Sequence, residues 1–500
     1  MNAPKIAHFD PFSGPPRIHG ASRVGIRPGT EIIHPLAATG ERPLRFEVVG
    51  LPVGVEVDSE GILRGTAPVE RGEHNLAVTV TNAKGAATAS VELVVGDTLA
   101  LTPPMGWNSW NVYASRVSAD VVLRTAQAMV DSGMRDLGYQ YINIDDHWHA
   151  PERASDGRPL ANSETFGEGI AALADAVHGL GLKLGIYSDA GTMTCGKCFG
   201  GYGYERIDAE TYASWGVDLL KYDYCFAPSS ADVARARYTT MGNALKATNR
   251  SIVFSVCEWG FRKPWQWAHA SGGSMWRTTP DIFDTFSWTP LGVRYIARHN
   301  LKLADSAGPG RWNDPDMLLV GNHGKGQATG VLRTPNQLPG SLGGRKIWSF
   351  PGISQAQTLS HVTLWAMMAA PLLASHDISQ SSEFDLALLT NPEILAIDQD
   401  PLGAQGRLMG YKPGMWQVVK PLADGGFAVS VTNLTRVSRR ITIDVEQIAR
   451  SGAAPVAPGG SYEVTNAWTM QALGSVTTLR SRLSAHDSVV YVCRPTLISE

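Results

Sequence analysis

The middle of the chain repeats one pattern, in which a short apolar run ends in a carboxylate and a stretch with helical periodicity follows. The apolar runs and the acids that close them are 139–144 before Asp145, 182–187 before Asp189, 217–222 before Asp223 and 251–257 before Glu258. The helical stretches are 120–137, 169–180, 209–215 and 231–248. Repeated strand–helix units of this kind predict an α/β fold, a (β/α)8 TIM barrel. Because side chains at the carboxyl ends of barrel strands form the catalytic rim, the acids are expected to line one site.

The segments on either side of this core have the period-two alternation of β-strands. The strands predicted before the core are 44–49, 55–58, 62–65, 74–81 and 88–95, and those after it are 416–420, 426–433, 440–445 and 488–492. Gly, Pro and Asp turns separate them, which is typical of small sandwiches. We therefore predict an N-terminal β domain at 1–98, the barrel at 99–401 and a C-terminal antiparallel β-sandwich at 402–500. Neither flank carries a cluster of catalytic groups, so a spacer or docking role is expected for the N-terminal domain, with sugar binding as the alternative left open.

Composition narrows the class of partner. The chain has 500 residues, and 43 basic against 46 acidic side chains leave a net charge of −3, so neither nucleic acid nor an anionic membrane is an expected partner. The longest apolar stretch, 364–374, is too short to span a bilayer and predicts a buried helix that runs into a strand. The first residues lack the apolar region of a signal peptide. The protein is therefore cytoplasmic, or its signal peptide has been removed.

The strand ends offer many carboxylates and few other ligands. The charged residues predicted at the rim are Asp145, Asp146, Asp189, Asp223, Glu258, Asp281, Asp314, Asp316, Lys221 and Arg277. His147 and His149 follow the first acids, but no third His supports a metal site there. The sequence also lacks a glycine-rich phosphate-binding loop. We therefore predict neither a metal nor a cofactor. Carboxylates beside Trp and Arg suit hydroxyl-rich ligands. Glycoside hydrolysis is the reaction that needs two carboxyl groups of unequal pKa and no metal.

A series of motifs in a fixed order strengthens this interpretation. The motifs are PPMGWNSWN, YINIDDHW, LGIYSDAG, GVDLLKYDYC, CEWG, WRTTPDI, GRWNDPDMLLVGN, LWAMMAAPLLAS and NPEILAIDQDPLG. In this order they resemble glycoside hydrolase family 27, the α-galactosidases of clan D. The resemblance runs from Leu101 to Gly406 and continues more weakly into the C-terminal sandwich. The N-terminal segment resembles the immunoglobulin-like modules of bacterial secreted enzymes.

The resemblance implies separate roles for two aspartates. Asp223 matches the nucleophile of the family, and Asp281 matches the general acid/base. Arg277 matches the residue that grips the 2-hydroxyl group of the sugar. Lys221 lies two residues before Asp223 on the same face of the strand, where it is expected to hold a sugar hydroxyl and to keep the carboxylate ionised. The alternatives left open are a purely structural Lys221–Asp223 ion pair and Asp284 as the true acid/base.

Other matching positions bear on the choice of sugar. Asp145 and Asp146 match the pair that accepts hydrogen bonds from the 4- and 6-hydroxyl groups, and Trp110 matches the tryptophan on the sugar face. Glu258, in place of the small residues of N-acetylgalactosaminidases, implies a free 2-hydroxyl group. The remaining wall positions implied by the resemblance are Tyr187, Asp316 and Met317, whereas Asp314 is expected to be a structural acid of its turn.

The cysteines give a further expectation. The resemblance implies a disulfide between Cys195 and Cys225 at the mouth of the site, and hence an oxidising compartment, periplasmic or secreted. Cys198 is a competing partner for this bridge. A second alternative left open is that Cys195-x-x-Cys198 forms half of a metal or redox site. Cys257 is expected to be a buried thiol. His147 departs from the family, because many relatives have a Cys there, and it is either a rim ligand or a packed side chain.

The predicted function is a retaining α-galactosidase that removes terminal α-D-galactosyl residues by double displacement. Its substrate is an oligosaccharide, a polysaccharide or a glycoconjugate, and a homodimer stays open. The rivals are β-L-arabinopyranosidase, α-N-acetylgalactosaminidase and α-glucan hydrolysis within the same clan, and a catalytically silent carbohydrate-binding protein outside it. The segment 324–352 is longer than in relatives, and we expect it to shape the leaving-group subsites.

Overall fold

The structure is a computed structural model, and it describes residues 4–287, 289–324, 352–451 and 462–496. Three β-rich bodies follow one another along the chain. The first nine strands are β1 (Arg17–Ile18), β2 (Arg23–Ile26), β3 (Glu31–Pro35), β4 (Ala38–Thr39), β5 (Arg45–Val49), β6 (Val55–Val57), β7 (Ile62–Thr66), β8 (Gly72–Asn82) and β9 (Gly85–Val95). Sheets β2-β9-β8-β5 and β3-β7-β6 enclose a core that contains Leu63, Leu76 and Leu93, with a short β1-β4 pair beside them. This is the predicted N-terminal sandwich.

The central body is a sheet of eight parallel strands. They are β10 (Met105–Asn108), β11 (Tyr141–Asn143), β12 (Lys183–Asp189), β13 (Leu219–Asp223), β14 (Val253–Val256), β15 (Met275–Arg277), β16 (Trp312–Asp314) and β17 (Leu372–Ala374). The order is β16-β15-β14-β13-β12-β11-β10-β17, and the Leu318 N–H, beyond β16, donates to the Leu373 carbonyl of β17 at 2.8 Å. That hydrogen bond joins the two ends of the sheet, so the predicted TIM barrel is confirmed.

Helices cover the outside of the barrel, as the alternation predicted. In the described part of the range from Met105 to Gln399, they are α1 (Trp110–Tyr113), α2 (Ala119–Asp131), α3 (Gly169–Gly179), α4 (Glu205–Ser214), α5 (Ala231–Lys246), α6 (Val293–Asn300), α7 (Gln355–Met367), α8 (Glu383–Leu389) and α9 (Pro392–Asp398). The strands are buried on both faces, which suits a sheet filled by side chains inside and covered by helices outside. The apolar stretch at 364–374 indeed spans the end of α7 and then β17.

The third body is the C-terminal sandwich. Its elements are β18 (Arg407–Lys412), β19 (Met415–Pro421), β20 (Phe427–Asn433), β21 (Arg439–Asp444), α10 (Val445–Arg450), β22 (Tyr462–Asn466), β23 (Gln471–Ser475), β24 (Thr478–Leu483) and β25 (Ser488–Pro495). An antiparallel sheet β18-β19-β20-β25-β22-β23 faces the β21-β24 pair. It also covers α7, where Ser360 Oγ donates to the His486 carbonyl at 2.7 Å and Trp468 Nε1 donates to Thr363 Oγ1 at 2.9 Å. This cover explains why α7 is buried nearly all round.

The N-terminal domain binds to the barrel at the end opposite the strand-end acids. Arg250, just before β14, pairs with Asp218, just before β13, at 2.6 Å and with Glu31 of the sandwich at 2.6 Å. Arg27 of the sandwich donates to the Leu245 carbonyl at 2.8 Å. These barrel groups all precede strands, so they lie at the amino ends. The domain therefore closes the floor of the barrel and stands away from the candidate site.

Candidate active site

Most of the acids predicted from the sequence meet at the carboxyl end of the barrel. Asp189, Asp223 and Asp314 are the last residues of β12, β13 and β16, whereas Asp145 and Asp146 follow β11 closely. All five are buried. Because neighbouring parallel strands end at one rim, carboxylates far apart in sequence converge on a small volume. Such a cluster of buried acids requires hydrogen-bond donors and cations to compensate it.

Asp223 is held by donors on both carboxylate oxygens. The Tyr187 hydroxyl donates to Oδ2 at 2.8 Å, and the Tyr224 N–H donates to Oδ1 at 3.0 Å. Burial raises the pKa of Asp223 to about 7; the charge of Asp281 adds to this, whereas Lys221 and Tyr187 act in the opposite direction. The group therefore has a fixed orientation and exchanges its proton near neutral pH.

Lys221, on the same strand as Asp223, makes its ion pair with Asp145. Its ammonium Nζ lies 2.6 Å from Asp145 Oδ2. Burial lowers the pKa of Lys221, but nearby groups, first Asp145 and then Cys257 and Asp223, outweigh burial, so the pKa is raised. The alternative of a purely structural Lys221–Asp223 ion pair is therefore not observed, because the ion pair of Lys221 is with Asp145. Lys221 acts on Asp223 through its charge, which lowers the pKa of that carboxyl.

A second group of charges surrounds Arg277 at the end of β15. Its NH2 atom lies 3.0 Å from Asp281 Oδ1 and 3.0 Å from Asp316 Oδ2. Asp316 is buried and also accepts the Ile282 N–H at 2.8 Å, whereas the side chain of Asp281 is 37% exposed. Asp314 accepts the Asp316 N–H at 2.8 Å, which is the structural role expected for it. Arg277 therefore connects an accessible carboxyl to a fixed one.

Asp145 and Asp146 are fixed by their surroundings. Asp145 Oδ2 accepts from Asn108 Nδ2 at 2.9 Å in addition to Lys221. Asp146 accepts the His147 N–H at 2.7 Å on Oδ1 and the Gly196 N–H at 2.7 Å on Oδ2. Burial raises the pKa of Asp146, while His147 and the Gly196 N–H oppose this. Two rigid acceptors stand side by side at the rim.

One aromatic wall borders this pair. Trp110 and the His147 ring stack nearly parallel, with centroids 6.0 Å apart and an interplanar angle of 5°. Both are partly exposed, whereas Trp107 is buried in the core, as expected. Trp110 thus offers an indole surface beside the acceptors.

Glu258 does not have the position beside the 2-hydroxyl group of the sugar that was expected for it. Its carboxylate is fully buried and receives the Arg262 N–H at 2.9 Å and the Arg262 guanidinium at 3.1 Å. Burial raises its pKa to about 7, against the effect of Arg262. Direct contact with a substrate at the 2-position is not supported by this geometry, since the side chain has no accessible surface. Glu258 instead fixes the loop that follows β14.

The predicted disulfide is present. Cys195 and Cys225 are bonded, with Cα atoms 5.2 Å apart, and Cys195 Sγ lies 3.8 Å from Asp223 Oδ2. Cys257 is a buried free thiol, as expected, and Cys198 is free and partly exposed. The bridge ties the loop after β12 to the end of β13, which places that loop at the mouth of the site.

One contributor, Asn108, was not predicted, and it orients Asp145. Asp189, which was predicted at the rim without a role, accepts the Gly191 N–H at 2.6 Å and the Cys225 N–H at 2.9 Å. The position of Asn108 could have indicated its role, because Asn108 is the last residue of β10 and polar side chains at strand ends face the rim. The segment 324–352, expected to shape the leaving-group subsites, lies outside the described residues from 325 to 351.

The arrangement combines a buried, oriented carboxylate with an accessible one, and adds paired acceptors beside an indole. Such a site can bind several hydroxyl groups of one ligand and place two carboxyl groups on its reacting bond. No helix among the described residues is long and apolar enough to cross a membrane.

Three known families match the chain. The family described as Alpha galactosidase A matches residues 102–333 and 346–400. The Alpha galactosidase C-terminal beta sandwich domain matches 414–493, and a Putative Ig domain matches 24–96. The last two confirm the sandwich at the C-terminus and the immunoglobulin-like character of the N-terminal domain.

Individual proteins agree with the family match. A probable α-galactosidase of Dictyostelium discoideum is 39% identical over 403 residues, 80% of this chain and 94% of that protein. α-Galactosidase A of Cellvibrio japonicus is 41% identical over 343 residues, 67% of this chain and 76% of that protein. A putative α-galactosidase structure from Bacteroides fragilis superposes with a TM-score of 0.89 at 39% identity, over 98% of this chain and 100% of that chain. The chain belongs to the α-galactosidase family, glycoside hydrolase family 27, and is a glycoside hydrolase.

Proposed function

We propose that this protein is a retaining α-galactosidase in which Asp223 is the nucleophile and Asp281 is the general acid/base. The observation that carries the proposal is the contrast between the two carboxyl groups. Asp223 is buried and oriented through both oxygens, as a nucleophile must be, whereas the side chain of Asp281 is 37% exposed and can exchange protons with water. Their charges interact, which is the relation expected of a catalytic pair.

In the first step, a carboxylate oxygen of Asp223 attacks the anomeric carbon while the bond to the leaving oxygen breaks. Asp281 gives its proton to that oxygen. The product is a β-galactosyl ester of Asp223 and a free alcohol. Retaining enzymes hold the two carboxyl groups about 5–5.5 Å apart, because the attacking group contacts the sugar directly.

In the second step, water attacks the anomeric carbon of the ester. Asp281, now ionised, takes a proton from this water, and Asp223 leaves as a carboxylate. Two inversions give net retention, so the first product is α-galactose. Tyr187 donates to Asp223 Oδ2 and stabilises the carboxylate that this step releases.

Recognition of galactose is assigned to the paired acceptors. Asp145 and Asp146 have both of their oxygens oriented by donors, so their remaining lone pairs point in fixed directions. An axial 4-hydroxyl group and the 6-hydroxyl group of one sugar can donate to such a pair. Trp110 covers the apolar face of the ring, and Arg277 donates to the 2-hydroxyl group.

The location follows from the disulfide. Because Cys195 and Cys225 are bonded, we propose that the protein works in an oxidising compartment, the periplasm or the exterior. The substrates there are galactosylated oligosaccharides, polysaccharides or glycoconjugates. The N-terminal domain stabilises the barrel floor and takes no part in the chemistry.

Azide rescue tests the two assignments separately. In Asp223→Ala, azide attacks in place of the missing nucleophile, and an activated aryl α-galactoside should give β-galactosyl azide. In Asp281→Ala, the ester still forms from an activated substrate, and azide attacks it to give α-galactosyl azide. The β-azide from Asp223→Ala together with the α-azide from Asp281→Ala supports the proposal, whereas the reverse pair, or the same anomer from both variants, contradicts it.

The matched control is Asp284→Ala, three residues beyond Asp281. Asp284 is fully buried and accepts the Gly324 N–H at 2.7 Å. This variant should keep turnover without azide. If it instead requires azide and yields the α-azide, Asp284 is the acid/base. The sugar assignment is tested by comparing kcat/KM for four aryl glycosides: the α-galactoside, the α-N-acetylgalactosaminide, the β-L-arabinopyranoside and the α-glucoside. The α-galactoside should have the highest kcat/KM, and a higher value for any other substrate contradicts the assignment.

A further inference from the structure

A cluster of potential metal ligands shares Asp146 with the proposed sugar-binding pair. Asp146, His149 and Cys198 each offer one ligand atom, and these atoms lie within 4.8 Å of one another. Nδ1 of His149 is 3.8 Å from Oδ1 of Asp146. The first two residues follow β11, and Cys198 comes from the loop after β12. The proposed catalytic steps do not use His149 or Cys198.

His149 is the most unusual member of this cluster. Its side chain has no accessible surface, and neither ring nitrogen has a hydrogen-bond partner within the described part of the chain. The ring is held between Trp148, with centroids 4.1 Å apart, and Phe199, with centroids 4.8 Å apart. Buried polar groups are nearly always paired, and an unpaired one costs about 1–3 kcal/mol. An imidazole that is positioned but unpaired is suited to a ligand that the protein itself does not supply.

We propose that Asp146, His149 and Cys198 bind one Zn²⁺ ion. A carboxylate, an imidazole and a thiolate are the ligand types that zinc prefers, in tetrahedral geometry. Metal–ligand bonds of about 2.0–2.3 Å at tetrahedral angles place ligand atoms roughly 3.4–3.6 Å apart. The observed 3.8 Å between His149 Nδ1 and Asp146 Oδ1 needs a shift of only a few tenths of an ångström.

A fourth ligand is also at hand. Nδ1 of His147 lies 4.0 Å from Cys198 Sγ, and His147 is partly exposed, so it or a water molecule can complete the tetrahedron. Cys198 is a free thiol, and a thiol coordinates the ion as its thiolate. Binding therefore breaks the S–H bond, forms a Zn–S bond and releases the proton to solvent. The reaction involves no change of oxidation state.

Zinc at this site would compete with the sugar. This consequence rests on the proposed function, which assigns Asp146 to a sugar hydroxyl group. A carboxylate oxygen that coordinates Zn²⁺ cannot accept that hydroxyl in the same geometry, so Zn²⁺ should raise the apparent KM and leave kcat unchanged. A chelator should restore the original KM. The binding of Zn²⁺ itself does not depend on the proposed function.

The test uses the full chain after treatment with a chelator. Titration with Co²⁺ should give one ion per chain and a thiolate-to-cobalt absorption band, which Zn²⁺ then abolishes. Cys198→Ser should lose the band and bind Zn²⁺ more than about tenfold more weakly. His149→Gln should keep the band but also bind more weakly. Cys493→Ala, which removes a buried thiol of the C-terminal sandwich, is the matched control and should bind as the parent does.

The outcomes separate the two proposals. An absent thiolate band, or equal Zn²⁺ affinity in the parent and in a folded Cys198→Ser variant, overturns the zinc site and leaves the α-galactosidase assignment intact. Stoichiometric binding that depends on Cys198 but does not change the KM supports the site and contradicts the role of Asp146 in sugar binding. Circular dichroism of each variant establishes that it is folded.

Discussion

Removal of the Tyr187 hydroxyl should change the pH at which the enzyme becomes active. This hydroxyl donates to Asp223 Oδ2 at 2.8 Å, and the interaction favours the ionised carboxylate. Tyr187→Phe keeps the ring and deletes the donor. Since the proposed nucleophile must be ionised to attack, any rise in its pKa moves the acid limb of kcat/KM to higher pH.

The size of the shift follows from the strength of the hydrogen bond. A hydrogen bond to a charged group contributes about 1.5–3 kcal/mol, and one pKa unit corresponds to about 1.36 kcal/mol. The pKa of Asp223, which is about 7 in the parent, should therefore rise by about one to two units. The acid limb should move up by the same amount. At about pH 5 the variant should be about 10- to 100-fold slower, and the deficit should shrink as the pH rises.

The assay is the pH profile of kcat/KM on an aryl α-galactoside, and Tyr222→Phe is the matched control. Tyr222 precedes Asp223 on the same strand, but its buried hydroxyl has no hydrogen-bond partner within the described residues. The control should keep the parental acid limb. An unmoved limb in Tyr187→Phe, or a loss that is equal at every pH, would refute this role of the hydroxyl.

Two further predictions concern stability. Arg250→Met removes the cation that pairs with the buried Asp218. It should lower the free energy of unfolding, measured by urea titration, by about 3 kcal/mol and leave kcat unchanged. Glu31→Gln should lower it by less than about 1 kcal/mol, because Glu31 is 54% exposed. Equal effects of the two variants would contradict this ranking. Replacing both Cys195 and Cys225 by Ser opens a loop of 30 residues. This double variant should lower the free energy of unfolding by about 3–4 kcal/mol and raise KM. An unchanged melting temperature would count against a stabilising bridge.

Strand periodicity predicted the rim of the site but not the contacts within it. Period two places Lys221 and Asp223 on one face of β13, and both indeed point toward the other rim acids. Which carboxylate Lys221 reaches depends on β11, two strands away in the sheet, where Asp145 follows the strand. The pairing thus depends on barrel geometry, which no local pattern contains.

The conformations of loops explain the other differences between the sequence-based predictions and the structure. Glu258 follows a strand as the other acids do, yet the chain turns at once and brings Arg262 back onto its carboxylate. The proposed ligand set of Asp146, His149 and Cys198 has no local sequence pattern, because Cys198 is distant in sequence from the other two and approaches them only where two loops meet. The docking of the N-terminal domain on the barrel floor was equally hidden, since it depends on separate surface contacts.

The most direct test of the central claim is the anomer that the enzyme releases first. Hydrolysis of an aryl α-galactoside, followed by proton NMR from the first minutes, distinguishes the α- and β-forms of galactose before they interconvert in water. Attack by Asp223 followed by attack of water predicts α-galactose as the initial product, with the β-form appearing only later by mutarotation. Initial release of β-galactose would contradict the double displacement and, with it, the role of Asp223 as nucleophile.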